Sequence, residues 1–247
     1  MGTTLRLLSL NANAGFDLLR RRFVLHRLRE AIHAVDADLV CLQEVLGRHA
    51  GHARRHRDWP AAPQYEFLAD TLWPEHAYAR NAVFPEGEQG NAVLSRFPIV
   101  AMRNHDVSLP GHEPRGLLHC TLSLAGGAPP LHAICVHFGL LEAHRRHQAA
   151  LLRDLVDALP AGAPVLVAGD FNDWRGHGHA MLRAAGLREA FEDATGRIAR
   201  SFPALLPVLA LDRVYLRNAR AVDARVLRGA PWSRLSDHLP LLATIEL

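Results

Sequence analysis

Acidic, amide and imidazole side chains recur where the apolar segments of this chain end. The stretch GDFNDW, residues 169–174, follows the apolar run PVLVA and places two acids and an amide within four positions. Alone it favours a tight turn, because Asp and Asn hydrogen-bond their own backbone. Six residues of this kind lie at or just beyond the end of an apolar segment: Asn11, Glu44, His137, Asp170, Asn172 and Asp212. Oxygen ligands and imidazoles gathered at strand ends suit a hard cation and a phosphate group.

The apolar segments that must position these side chains alternate between strand and helix patterns. LRLLSLN and ADLVCLQEV are predicted strands on either side of a helix within residues 21–35. PLHAICVHF and PVLVAGDFND flank a second helical pattern, residues 141–159. A polar loop over residues 47–63 and a weaker helix over residues 182–187 are also predicted. Further strands are predicted in GNAVLSRFPI, VAMRNHDVSL, GLLHCTLSL, LDRVYLR, AVDARVL and the final segment. Mixed sheets with helices outside them fit this order.

The composition is that of a globular protein. The chain has 247 residues, of which 49% are hydrophobic, and no apolar run approaches the ~20 residues needed to cross a bilayer. The amino terminus lacks the order of a signal peptide, so a cytoplasmic protein is expected. All 28 basic residues are Arg, and the net charge of +3 is a mild excess that attracts phosphate groups. Many of the 16 histidines are expected on solvated loops.

The motifs LNAN, LQEV, PRG, VHFGL, GDFND, LDRVYL and SDH occur together and in a characteristic order. In this order they resemble the endonuclease/exonuclease/phosphatase superfamily, whose fold is that of DNase I. The resemblance spans essentially the whole chain and implies one domain over residues 1–247. It also implies an α/β (α+β) fold, a four-layered sandwich of two packed mixed β-sheets flanked by helices. The segment RNAVFPEGEQGNAVLSRFPI resembles small bacterial members whose substrates are poorly defined.

The resemblance implies a divalent metal site, for Mg²⁺ or Mn²⁺. Glu44 matches the principal metal-binding glutamate, and Mg²⁺ needs only one or two protein carboxylates because it keeps several waters. The alternative for Glu44 is an exposed acid that closes a strand. Asn11 and Asp237 are the further candidate ligands, with Asn13 as a weaker one, although Asn11 could instead form a local turn. Asn91 is implied to brace the site, and it is a secondary substrate-binding candidate.

The same resemblance assigns the chemistry. Asp170 and Asn172 match the pair that positions the attacking water and stabilises the transition state. His238 matches the general base or the charge partner of the phosphate. Asp212 matches the acid that holds His238 in one tautomer. A salt bridge between Asp212 and Arg213 is the alternative for that acid.

Other candidate residues would contact the substrate. His137 matches a donor to a phosphate oxygen or leaving group, against a structural strand histidine. Arg115 matches a phosphate-facing arginine, whose planar fork suits that contact, against a turn residue. Trp174 could stack on a base or sugar or simply pack. Arg54 and Arg55 could guide a polyanion or belong to a solvated loop.

The activity implied is hydrolysis of a phosphodiester by in-line attack of water, with nuclease-type action favoured by Arg115 and the basic balance. The alternative is a phospholipid head group or a small phosphate ester as substrate, although no convincing apolar surface hairpin is evident in the sequence. A non-catalytic phosphate-binding module is a further alternative. No P-loop and no G-x-S-x-G elbow supports a rival hydrolytic chemistry. The sequence indicates no obligate protein partner.

Overall fold

The computed structural model describes residues 3–247, in which twelve strands form two six-stranded sheets. The first sheet has the strand order β11-β12-β1-β2-β4-β3. Its strands β1 and β2 are parallel, and its other neighbours are antiparallel. The strands of this sheet are β1 (Thr4–Asn11), β2 (Leu39–His49), β3 (Glu75–Phe84), β4 (Gly87–Ser95), β11 (Arg220–Val226) and β12 (Leu241–Glu246).

The second sheet repeats this plan, with the order β5-β6-β7-β8-β10-β9 and one parallel pair, β7 and β8. Its strands are β5 (Ile99–Asp106), β6 (Gly116–Leu122), β7 (Leu131–His137), β8 (Val165–Asp170), β9 (Arg188–Glu189) and β10 (Asp212–Arg217). The helices are α1 (Leu25–Val35), α2 (Ala50–Arg55), α3 (Gln64–Ala69), α4 (Glu142–Asp157), α5 (His177–Ala184) and α6 (Ala190–Thr195). Within residues 3–247, no helix combines the length and apolar character needed to span a membrane.

The sheets pack face to face, and helices cover their outer faces. Leu7 of the first sheet and Cys135 of the second belong to one buried cluster between the sheets. Leu8, the next residue along β1, points to the opposite face and packs with Ile32 of α1, as strand alternation requires. Val156 of α4 packs on the outer face of the second sheet. This arrangement confirms the predicted four-layered α/β sandwich, and the shared inner core leads us to propose that the chain is one domain.

Three local predictions were wrong. The loop predicted over residues 47–63 contains the end of β2 and the helix α2, whose first turn is capped where His49 Nδ1 accepts a hydrogen bond from the His52 backbone N–H. The helix predicted over residues 182–187 lies earlier, as α5. Strand β3 was missed because its buried positions are alanines among exposed polar residues, which gives little hydrophobic contrast.

The two parallel strand pairs place the predicted polar residues at one edge. Asn11 ends β1 beside β2, and His137 ends β7 directly opposite Asp170, the last residue of β8. Gly169 has φ +147°, and a Cβ atom there would lie 2.0 Å from the carbonyl oxygen of Val136. The glycine of the GDFND motif therefore lets β8 approach β7 closely enough to present Asp170.

Three histidines form a row across β5, β6 and β7 instead of lying on solvated loops. His119 Nε2 lies 2.9 Å from His132 Nδ1, and the rings of His105 and His119 are 5.9 Å apart. Burial, with the neighbouring His132 and His105 adding to it, lowers the pKa of His119 to about 4. The folded protein therefore holds this imidazole neutral at pH values where the unfolded chain protonates it.

We expect this row to make the fold sensitive to acid. The unfolded chain binds a proton at His119 near the ordinary pKa of ~6.5, whereas the folded chain binds it only near 4. Stability is therefore complete above pH ~6.5 and falls as the pH drops towards 4. Gln at position 119 can keep the hydrogen bond to His132 but does not titrate. The variant His119→Gln should therefore lose about 1–2 kcal/mol less free energy of unfolding than the wild type as the pH falls to 4, after allowance for the partial exposure of the ring. Thermal unfolding between pH 7 and 4 tests this, with exposed His147→Gln as the control; equal pH dependence in both variants would contradict it.

Candidate active site

A cleft of about 520 Å³ opens beside the ends of β7 and β8 and beside Glu44 of β2. A larger cavity of about 660 Å³ lies between α6 and β11 and contains none of the predicted site residues. The smaller cleft is the candidate active site because acids, imidazoles and arginines converge on it. Its polar lining consists of Arg20, Glu44, Gln89, Glu113, Arg115, His137, Asp170, Asn172, Asp237 and His238.

Glu44 lies at an irregularity in the pairing of β2 with β4 and has φ +53°. This local conformation re-aims a strand side chain, as bulges beside functional sites do. Glu44 Oε1 accepts a hydrogen bond from Asn11 Nδ2 at 3.1 Å. Its Oε2 accepts from the Arg20 guanidinium at 2.7 Å and from Gln89 Nε2 at 3.3 Å. The carboxylate is thus fixed at the cleft by three donors.

The carboxylates of Glu44 and Asp237 both line the cleft. Burial raises the pKa of Asp237, His238 opposes this shift, and the negative charge of Glu44 reinforces it. Two acids that repel each other in one partly buried space are stabilised by a cation between them. The donor set contains oxygen and no sulfur, which fits Mg²⁺ or Mn²⁺. Glu44 and Asp237, with the nearby amide of Asn11, are therefore the residues that would hold the ion.

Asn13 takes a different position from Asn11. It is fully buried, and its Nδ2 donates to the backbone oxygens of Phe16 and Asp17, at 3.3 and 2.9 Å. Its Oδ1 accepts from Arg20 Nε at 2.7 Å. Asn13 therefore fixes the loop that carries Arg20, and it does not line the cleft.

His238, Asp212 and Asp170 form a buried cluster. His238 Nδ1 lies 2.7 Å from Asp212 Oδ2, which also accepts a hydrogen bond from Ser201 Oγ. The other ring nitrogen, Nε2, lies 3.7 Å from Asp170 Oδ2. Their ligand atoms are close enough to hold a metal. However, the 2.7 Å contact has the length of a charge-assisted hydrogen bond, so we interpret the cluster as an imidazole that is held and charged by its two acids.

The charges of this cluster set the protonation of His238. Burial lowers its pKa, but Asp212 and Asp170 together outweigh burial and raise the pKa to about 10. His238 is therefore a cation at neutral pH. The alternative salt bridge between Asp212 and Arg213 is absent among the described residues, because the Arg213 guanidinium donates instead to the backbone oxygen of Asp173 at 3.1 Å.

His137 has the opposite character. Its Nε2 lies 3.6 Å from Asp170 Oδ2, yet burial and the positive charge of Arg115 lower its pKa to about 3. The ring is therefore neutral and can donate one hydrogen bond. Arg115 itself is buried, donates to Glu113 Oε2 at 2.9 Å, and leaves its Nε without a described partner. The Arg115 side chain lines the cleft, where its planar guanidinium suits an anionic ligand.

The GDFND turn holds two acids in different roles. Asn172 has φ +50°, its backbone N–H donates to Asp170 Oδ1 at 2.9 Å, and its Nδ2 donates to the oxygen of Phe138 at 3.0 Å. These bonds fix Asp170 and Asn172 relative to each other at the cleft. Asp173 faces away, and its Oδ2 accepts from the backbone N–H of His179 in the first turn of α5. Asp173 is therefore a helix-capping residue.

The remaining predicted substrate contacts lie in different places. Asn91 is buried beneath the cleft and donates to the backbone oxygens of Gly116 and Cys135, at 3.1 and 3.3 Å, so it ties β4 to the second sheet. Arg54 pairs with Glu86, and neither Arg54 nor Arg55 lines the cleft. Trp174 does line it, with the Arg145 guanidinium 4.0 Å from its ring centroid.

Arg20 and Gln89 are the two polar contacts of Glu44 that sequence reasoning missed. Arg20 stands in the run RRR of a loop, with φ +53°, and such a run is typical of solvated surface. Gln89 lies near the start of β4, after Glu86 and Glu88. Because its neighbours are also polar, the sequence does not indicate which face of the strand carries its side chain. In both cases the tertiary fold brings the side chain to the cleft, and no local sequence pattern indicates it.

Comparison with known proteins agrees with the fold. Residues 8–238 match the model of the Endonuclease/Exonuclease/phosphatase family. The uncharacterized protein YbhP of Escherichia coli strain K12 is 51% identical over 243 residues, covering 98% of this chain and 96% of YbhP.

Two solved structures show the same fold. An endonuclease/exonuclease/phosphatase from Beutenbergia cavernae has TM-score 0.80 at 19% identity, covering 99% of this chain and 72% of that one. D. rerio TDP2, solved with a single strand DNA product, has TM-score 0.71 at 16% identity, covering 99% of this chain and 100% of that one. With the matching family model and the convergence of the motif residues on one cleft, the chain belongs to the endonuclease/exonuclease/phosphatase family.

Proposed function

We propose that the protein is a divalent-metal-dependent phosphodiesterase that hydrolyses its substrate by in-line attack of water. One observation carries the proposal. The cleft brings two acids suited to a hard cation, Glu44 and Asp237, into the same space as the Asp170–His238 pair. Metal ligands and proton-handling groups that face one cavity are the parts that phosphoester hydrolysis requires.

The protein side chains would divide the reaction between them. Asp170, buried and with its pKa raised by that burial, accepts a hydrogen bond from the attacking water and then its proton. Protonated His238 pairs with the phosphate, so of its two predicted roles we propose the charge partner and not the general base. Neutral His137 donates to a phosphate oxygen or to the leaving oxygen. A bound Mg²⁺ or Mn²⁺ would polarise the phosphoryl oxygen and screen its charge.

A substrate panel tests this function. We expect the chain to hydrolyse bis-p-nitrophenyl phosphate in Mg²⁺ or Mn²⁺ and to lose this activity in EDTA. The panel adds p-nitrophenyl phosphate, plasmid DNA, single-stranded DNA, RNA and phospholipid vesicles, measured at equal phosphate concentration. A chain that binds inorganic phosphate but hydrolyses none of these substrates with either ion would instead be the non-catalytic phosphate-binding module.

A further inference from the structure

Exposed apolar side chains concentrate around the mouth of the candidate active site. Of the thirteen large hydrophobic residues that are exposed within residues 3–247, ten lie on five segments, each of which contributes a residue to the cleft lining. The other three, Val100, Met102 and Val222, lie on β5 and β11. Val100 lies at the end of β5 remote from Arg115, since Ile99 pairs with Leu122 while Asp106 pairs with Gly116. Exposed apolar surface clustered at one site marks an interaction surface.

The most prominent of these segments is an apolar hairpin, residues 202–209, of sequence FPALLPVL. Phe202 pairs with Leu209 across its base, and both residues line the cleft. At its tip Leu205 is 65% exposed and Leu206 is 71% exposed. The sequence-based statement that the chain has no convincing apolar surface hairpin was therefore wrong.

Two further apolar side chains face the cleft, one from the loop before α4 and one from the end of the stretch GDFNDW. Leu140 and Trp174 both line the cleft, and both are exposed. The buried Arg145 holds them together, because its guanidinium lies against the Trp174 ring and donates to the Leu140 oxygen. Arg145 therefore ties the Leu140 backbone to the Trp174 ring at the mouth, and both apolar side chains remain in contact with solvent.

Arginines flank the hairpin on both sides. Leu205 shares a groove of about 300 Å³ with Leu19 and Arg22. Arg200 and Arg228 line the 660 Å³ cavity on the other side of the hairpin. These three arginines are exposed, and Arg22 belongs to the run of arginines at positions 20–22. Apolar side chains interspersed with arginines complement a surface that is apolar inside and anionic outside.

We propose that this rim of hairpin 202–209, Leu19, Leu140 and Trp174 docks on an anionic phospholipid bilayer, so that the cleft receives a lipid phosphodiester. The inference rests on the proposed function for the reaction, but the docking surface is a separate property. The cleft between Phe84, Trp174, Phe202 and Leu209 has apolar walls, and these suit the glycerol and acyl portion of a lipid next to the phosphate. A nucleic acid would instead favour a broad basic groove.

Vesicle binding by the full-length chain in Mg²⁺ tests the docking. We expect binding to phosphatidylglycerol vesicles to be at least about tenfold tighter than to phosphatidylcholine vesicles and to weaken with salt. The double variant Leu205→Asp/Leu206→Asp should bind phosphatidylglycerol at least about tenfold more weakly. The matched control is Val100→Asp/Val222→Asp, which changes two apolar positions on other segments that are 61% and 43% exposed. The variant Leu205→Ser/Leu206→Ser removes the apolar side chains without adding charge, so it should also weaken binding. Thermal unfolding of every variant shows whether weaker binding comes from lost docking or from a lost fold.

Rates of hydrolysis distinguish a phospholipid substrate from a nucleic acid. We expect the leucine variants to lower the rate on vesicle phospholipid, relative to bis-p-nitrophenyl phosphate, by at least about tenfold. Unchanged vesicle binding in folded leucine variants would overturn the inference, as would faster hydrolysis of plasmid DNA or RNA than of vesicle phospholipid. Absence of hydrolysis on every diester, with leucine-dependent vesicle binding intact, would overturn the proposed function and still support the docking surface.

Discussion

Replacing Glu44 with Gln should lower kcat/KM for bis-p-nitrophenyl phosphate by on the order of 10³-fold, because the ion's stabilisation of transition-state charge amounts to several kcal/mol. The neutral amide has nearly the shape of the carboxylate, and its single oxygen can still accept a hydrogen bond from Arg20 or from Asn11. The fold should therefore persist while affinity for Mn²⁺ falls. Calorimetric titration of Mn²⁺ and steady-state kinetics over a range of Mn²⁺ concentrations measure the two effects.

The control for Glu44→Gln is Glu88→Gln. Glu88 lies on the neighbouring strand β4, pairs with Arg80 and does not line the cleft. The variant Glu88→Gln therefore removes the same charge from the same sheet at a residue outside the cleft. Equal Mn²⁺ affinity in the Glu44 and Glu88 variants would contradict the assignment of Glu44 as a metal ligand.

Replacing Asp212 with Asn should lower kcat/KM by about 10²–10³-fold and should also change the pH dependence of kcat/KM. Asp212 acts through His238, so it is a positioning residue. In the wild type His238 stays protonated until the pH rises through about 10. Without the Asp212 carboxylate, burial is opposed only by the more distant acids, and the pKa of His238 falls. The alkaline limb of kcat/KM should therefore move to lower pH.

Measurement of kcat/KM against pH in Mg²⁺ checks this shift. Asp223→Asn, on the exposed face of β11, is the control for loss of one negative charge. Ser201→Ala removes one hydrogen bond to Asp212 but keeps the carboxylate, so it should leave the alkaline limb near its wild-type position. An Asp212 variant with reduced activity but an unshifted alkaline limb would show that Asp212 only supports the fold.

Among the candidate site residues, the sequence singles out those that end an apolar strand. Asp170 ends a strand of apolar residues and glycine, so the acid stands out, and Asn11 ends β1, whose four leucines indicate a buried strand. The two strand–helix–strand units then predict that these ends meet at one edge. Asn91 lies inside a strand with apolar neighbours and was correspondingly harder to place.

Features that depend on the tertiary fold or on very short elements could not be predicted from the sequence in the same way. The apolar composition of FPALLPVL predicts a buried segment, and only the structure shows that Leu205 and Leu206 are exposed to solvent. Arg20 reaches Glu44 through a loop conformation with positive φ, which no local residue preference favours for arginine. The short helix α3 spans six residues, fewer than two full turns, so its periodicity is too brief to recognise.

Hydrolysis in ¹⁸O-labelled water tests the central claim most directly. Bis-p-nitrophenyl phosphate is incubated with the chain in labelled water, once with Mn²⁺ and once with EDTA, and both products are analysed by mass spectrometry. We predict that one ¹⁸O atom enters the p-nitrophenyl phosphate and none enters the p-nitrophenol, and that neither product forms in EDTA. Label in the p-nitrophenol, or equal product formation in EDTA, would contradict metal-dependent attack of water on phosphorus.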